Sequence, residues 1–161
     1  MATAGQLLIG EAIRTLDGRF RLSLPLELAG PLVADGARLV LAKERAGCLS
    51  LWSAAVWRPR LDAALDVLRS KLQAGLLAQR VGEVQQAGRL LSARHAALSL
   101  AGRERLVVPE GFRAFLGVEP GGDVVVVGAA VCVELWHPKA WQEVLTADMP
   151  DFRRRLDALT G

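Results

Sequence analysis

The residues with the clearest chemistry are four arginines in a ten-residue signature that occurs twice. Its copies are Leu16-Asp17-Gly18-Arg19-Phe20-Arg21-Leu22-Ser23-Leu24-Pro25 and Leu100-Ala101-Gly102-Arg103-Glu104-Arg105-Leu106-Val107-Val108-Pro109. Arginine stays charged, and its planar fork matches phosphate oxygens and the O6/N7 edge of guanine. Strand side chains alternate faces with period two. Arg19 and Arg21 are therefore expected on one face, with Phe20, Leu22 and Leu24 on the other; Arg103 and Arg105 share the matching face of the second copy. The apolar set goes to the core. The arginines go to solvent, beside Gly18 and Gly102, where a glycine turn would let a ligand approach the backbone. Arginine pairs related by a two-fold on a small β scaffold suit duplex DNA. The same residues also fit a merely solvated strand face, with Asp17 and Arg21 as a surface ion pair of small net worth.

Both signatures belong to a longer tandem repeat. At one offset of 84 residues, 12–63 and 96–147 share 16 identities in 52 positions, too many for composition alone to explain. They include Leu32/Leu116, Val40/Val124, Cys48/Cys132, Leu51-Trp52/Leu135-Trp136 and Trp57/Trp141. A module this small is marginal alone, but two copies can bury each other's apolar faces. The expected fold is α+β, mainly β: two modules forming one barrel with a pseudo-two-fold. The boundaries read as 7–63 for the first repeat, 64–95 for a helical connector, 96–147 for the second repeat and 148–161 for a helical tail.

Within the modules, 13–16 and 20–24 read as short strands around Asp17-Gly18, as do 97–100 and 105–108 around Ala101-Gly102. Pro25 and Pro109 end the second strand of each copy, because proline cannot donate to a ladder. Helix-like segments follow at 26–33 and 110–116. The Val- and Leu-rich runs 38–43 with 48–52, and 123–127 with 131–136, read as hairpins. Ser53 is a candidate N-cap, and Pro138 suits a first helical turn. Trp57, Leu61, Leu65, Leu68 and Leu72 recur at helical spacing. Gly75 interrupts that helix, and 76–94 and 150–159 read as further helices.

Other features carry less. Net charge is +3, which only weakly favours an anionic partner, and 17 of the 20 basic residues are Arg in a chain without Asn or Tyr, a bias that reads first as GC-rich coding. Cys48 and Cys132 are too few for a disulfide scaffold and read as small buried hydrophobes. His95 and His137 lack ligand-spaced neighbours, so no metal and no cofactor is expected. The four tryptophans read as anchors at strand-to-helix junctions, and Arg153-Arg154-Arg155 as a solvated helix face. Gly121-Gly122 is a turn, since no phosphate-loop pattern surrounds it. No nucleophile–base pair is evident, and an enzyme is not expected. No apolar run reaches membrane-spanning length, and Met1 to Gly10 lacks a secretory pattern, so no membrane partner is expected.

Taken in order, these motifs resemble the MraZ family, the bacterial tandem-repeat branch of the AbrB-like swapped-hairpin proteins. The matching residues are Leu8-Ile9-Gly10-Glu11, Asp17-x-x-x-Arg21, Pro25, Leu51-Trp52 and Trp57 in the first copy. Arg89 with Ser92-Ala93 leads into the second, where Arg105, Pro109, Phe112-Arg113, Val124 to Val127, Leu135-Trp136 and Trp141 match; the likeness covers about 7–147. The resemblance implies a cytoplasmic, nucleoid-associated transcriptional regulator that forms a ring-shaped homo-oligomer. It further implies binding to G-rich direct repeats of double-stranded DNA upstream of the division and cell-wall operon. It implies DNA-binding roles for Arg21 and Arg105, supported by Asp17; Arg19 and Arg103 join them from the strand-face reading. The chain departs from the family pattern at Ala101, where the motif has Asp, and at Phe20 and Glu104, where it usually has Gly. Those departures leave open an oligomeric scaffold of the same fold with weakened or lost DNA binding. A single-repeat antitoxin-like relative fits less well, because two repeats are fused here.

Overall fold

The computed structural model describes residues 6–161. The first copy runs β1 (Leu8–Thr15), β2 (Arg21–Ser23), helix α1 (Leu26–Leu32), β3 (Leu39–Arg45) and β4 (Cys48–Ser53). Helix α2 (Ala54–Gln73), a 3-10 turn (Ala78–Arg80) and α3 (Val81–Arg94) lead to the second copy. That copy repeats the order as β5 (His95–Leu98), β6 (Arg105–Val107), α4 (Glu110–Leu116), β7 (Asp123–Ala130) and β8 (Val133–Trp136). Helix α5 (Pro138–Asp148), a 3-10 turn (Met149–Asp151) and α6 (Phe152–Thr160) close the chain.

Strands are exchanged between the copies. The main sheet runs β1-β7-β8-β4-β3-β5, and a separate two-stranded ribbon is β2-β6. β1 thus pairs with the second copy's β7, and β5 with the first copy's β3. β4 pairs with β8 across the pseudo-two-fold. The β3–β4 and β7–β8 hairpins expected from sequence are present. β1 starts at Leu8, earlier than its local pattern suggests, because β7 offers it eight paired positions. Among the described residues β1 and β5 end the sheet order, so the expected barrel is not closed by a ladder between them.

One core lies between the sheet's inner face, the ribbon and the two short helices. Leu39, Leu41, Leu49, Leu51, Val124, Val126, Val133 and Leu135 point into it from the sheet. Leu22 and Leu106 enter from the ribbon, and Leu28, Leu32, Phe112 and Leu116 from α1 and α4. On the outer face Trp136 meets Trp141 at 5.5 Å and Trp52 meets Trp57 at 5.7 Å, so each pair anchors the following helix to the sheet. Trp57, Leu61, Leu65 and Leu68 form a half-buried stripe along α2, whereas Leu72 is exposed. Helix α2 ends before Gly75, which takes a left-handed φ of 74°.

The gapless offset holds for the ribbon strands and the short helices but slips in the third strand. Thr15 faces Asp123 and Arg14 faces Val124 across β1–β7, whereas Leu98 faces Leu39 across β5–β3. Leu39, not Val40, is therefore the counterpart of Val124. The register of β3 against β4 shifts between Lys43 and Arg45, placing a bulge at Glu44 that restores the offset before Cys48. The slip puts Leu39 and Leu41 into the core, and a one-residue slip is enough to turn a strand over.

Candidate nucleic-acid interface

The ribbon brings the two signatures together. Arg21 faces Val107, Leu22 faces Leu106 and Ser23 faces Arg105. Leu22 and Leu106 are buried, so Arg21 and Arg105 share the opposite face. They are diagonal neighbours across a two-strand ladder, a placement that sets Cα atoms about 7–8 Å apart.

Each ribbon strand begins from a tight turn. In the first copy Asp17 organises it. Its Oδ1 accepts from the backbone N–H of Arg19 at 2.8 Å and of Arg21 at 2.9 Å. Its Oδ2 accepts from Arg21 Nε at 2.8 Å, in an ion pair whose side chains are 41% and 32% exposed for Asp17 and Arg21. The Arg21 backbone N–H is the main reason the Asp17 carboxyl is held below the usual carboxylate range; the Arg19 N–H and the Arg21 side chain add to it. Only Nε of Arg21 is engaged, and its two terminal nitrogens make no hydrogen bond among the described residues. In the second copy Ala101 supplies no carboxylate. Arg105 Nε donates instead to the Gly102 carbonyl at 3.1 Å.

One expectation about the turns needs correction. Arg19 and Arg103 lie in the turns before the ribbon strands, so strand alternation does not fix their direction; both are exposed. Gly18 and Gly102 have no positive φ, and a Cβ added at either would meet nothing within 4 Å. The positions that do favour glycine come two residues later. Phe20 has φ 59° and Glu104 φ 54°, and Arg103 is also left-handed at 63°. Left-handed backbone costs a non-glycine residue about 1–2 kcal/mol. The Gly that the resemblance places before the motif Arg thus has a physical reason, and this chain does without it. Phe20 has compensation: it packs on the core, and Arg113 stacks over its ring at 4.1 Å while donating from Nε to the Val108 carbonyl at 3.0 Å. Arg113 thus joins this region, although nothing local in α4 signals that it reaches the other copy's turn.

The remaining candidates stay outside the ribbon. Cys48 and Cys132 are buried; desolvation pushes the Cys48 thiol up strongly and that of Cys132 to about 12, so neither is a thiolate at neutral pH. His95 packs on Trp57 at 5.7 Å, and His137 caps α5 by accepting from the Lys139 N–H. Among the described residues no three His, Cys, Asp or Glu side chains gather as a metal site, and no helix is long and apolar enough to cross a membrane.

Two fused repeats that exchange strands, each feeding an arginine turn into a shared ribbon, define a tandem swapped-hairpin β protein. The model of the MraZ protein family, described as antitoxin-like, matches residues 96–157. Similar proteins include a transcriptional regulator MraZ of Roseiflexus castenholzii, 30% identical over 88% of each chain. That of Treponema denticola is 25% identical over 93% of this chain and 95% of its own. That of Deinococcus radiodurans is 28% identical over 86% and 87%. The chain belongs to the MraZ family.

Proposed function

We propose that this chain is a DNA-binding transcriptional regulator that reads duplex DNA through the β2–β6 ribbon. The observation that carries the reading is the convergence of Arg21 and Arg105 on one face of the ribbon, each with Nε bonded to its own turn and its terminal nitrogens in no hydrogen bond among the described residues. A fork presented end-on suits the O6/N7 edge of guanine, with Arg19 and Arg103 placed to meet flanking phosphates. Asp17 orients Arg21 and does not face the anion itself. The names of the similar regulators support the same direction. The target in this reading is G-rich direct repeats upstream of the division and cell-wall operon. Each subunit offers one two-fold ribbon, so a ring-shaped homo-oligomer would engage successive repeats and add weak contacts through effective concentration.

Fluorescence anisotropy tests this with a duplex from upstream of the chain's own gene and a scrambled duplex, at two salt concentrations. Tighter binding to the native duplex that weakens with salt is expected. A second reading, an oligomeric scaffold that no longer binds DNA specifically, draws on Ala101 and on Glu104 beside Arg105. Equal binding to both duplexes, or none, would favour it.

A further inference from the structure

We propose that the open face of the α5–α6 pair is a self-association surface, on which a second copy of this chain seats its own α5–α6 pair across a two-fold axis. The repeat offset carries the first step. Trp57, Leu61, Leu65, Leu68 and Leu72 of the α2 stripe have Trp141, Leu145, Met149, Phe152 and Leu156 as counterparts, apolar at every position. The same stripe thus occurs on both sides of the pseudo-two-fold, and such a stripe is stable when another element covers it.

In the first copy a helix returns along the stripe. α3 ends against the start of α2, where the Arg94 guanidinium lies over the Trp57 ring at 5.3 Å and His95 packs at 5.7 Å. Leu65 and Leu68 are half-buried there, as are Val84 and Leu91 of α3. In the second copy the stripe is bare. Met149 and Phe152, the counterparts of Leu65 and Leu68, are 57% and 58% exposed, and Leu159 is 86% exposed. Pro150 stands where α2 has Asp66, and proline, which lacks an N–H, breaks the helix into α5 and α6 at the 3-10 turn. The break leaves a groove lined by Trp141, Leu145, Phe152 and Leu156, and no element among the described residues lies over it.

The charges of the groove select its own copy as the cover. Asp148 and Arg155 line it, one of each sign, and neither makes an ion pair among the described residues. In a two-fold pairing Asp148 of each copy meets Arg155 of the other, so both charges are matched twice. A partner carrying one sign of charge would leave one of the two unmatched. Two helix pairs joined by their apolar faces make a four-helix bundle, and a two-fold contact is the commonest symmetric one. Such a contact closes at two copies. It is therefore distinct from ring closure and from the arginine ribbon, and it rests on neither.

The test is cross-linking of the full chain with a short bismaleimide. The Asp148–Arg155 pairing sets the axis near Phe152, midway between them, and Met149→Cys and Leu156→Cys flank it. Cys48 and Cys132 are buried, so the original chain serves as the blank. A cross-link between identical positions is expected from at least one of the two variants, and not from Arg154→Cys on the other side of α6. In the better-linked variant, adding Asp148→Arg or Arg155→Asp should cut the yield at least about fivefold. An equimolar mixture of those two charge variants should restore it, because every facing pair is then opposite in sign again. The proposal is overturned if neither variant links better than Arg154→Cys, which is the result a head-to-tail contact or a different partner at this face would give. It is equally overturned if the charge reversals leave the yield unchanged, or if the mixture fails to recover it.

Discussion

In the first repeat Arg21 is gripped by a carboxylate that also gathers two backbone N–H groups of its turn; in the second, Arg105 rests on a single peptide carbonyl. The turns share one backbone bond, the N–H of Asp17 donating to the Arg21 carbonyl at 2.9 Å and that of Ala101 to the Arg105 carbonyl at 2.8 Å, although Arg103 is left-handed and Arg19 is not. What differs is how firmly each fork is aimed. Both bonds have a charged donor, but only Arg21 also meets a charged acceptor, so in the proposed reading Arg21 gives up less freedom when it meets DNA. The second turn also carries Glu104, whose charge opposes an approaching phosphate. In the proposed reading one fork is thus held firmly and the other loosely on the same ribbon.

The largest effect should come from removing either fork. Arg21→Ala is expected to weaken binding to the native duplex about tenfold or more, and Arg105→Ala by less, with anisotropy reading both. An equal loss would show that Asp17 adds nothing to the aim of Arg21.

Next in size is relief of left-handed strain. Glu104→Gly should stabilise the fold by about 1 kcal/mol, raising Tm by about 2–4 °C. It should also tighten DNA binding by removing a charge. Phe20→Gly should lower Tm instead, because it forfeits core packing and the Arg113 stack. Thermal melts of the two variants decide whether the signs are opposite.

A smaller change is expected from Ala101→Asp, which rebuilds the missing clamp and should tighten binding to the native duplex by about threefold.

The smallest effect is on pH. The Asp17 pKa is lowered in the fold, so its contribution is complete above the ordinary carboxylate pKa and is lost as pH falls through the lowered value. The amide shift of Arg21 should therefore be flat between pH 5 and 8 and move only in acid, below about pH 4. Ala101→Asp should introduce a matching transition at Arg105.

Much of this arrangement was legible in the chain itself. The repeat showed in Trp52/Trp136, Trp57/Trp141 and the paired signatures, and Pro25 and Pro109 marked the strand ends that α1 and α4 follow. The β3–β4 and β7–β8 hairpins showed as local runs around short turns. The exchange of β1 and β5 did not show, because strand partners distant in sequence leave no local pattern. The bulge at Glu44 was hidden because Val40 and Val124 are identical at the gapless offset, while Leu39 takes the place in the core that matches Val124. Gly18 and Gly102 drew attention as glycines, yet the backbone needs its left-handed residues at Phe20 and Glu104, where the side chains gave no such sign.

The most direct test of the central claim is anisotropy with the double variant Arg21→Ala/Arg105→Ala on the native upstream duplex, with sedimentation checking assembly. The account predicts that preference for the native over the scrambled duplex disappears while Tm and assembly stay unchanged. Retained preference in a folded, normally assembled double variant would contradict it and place DNA recognition elsewhere on the protein.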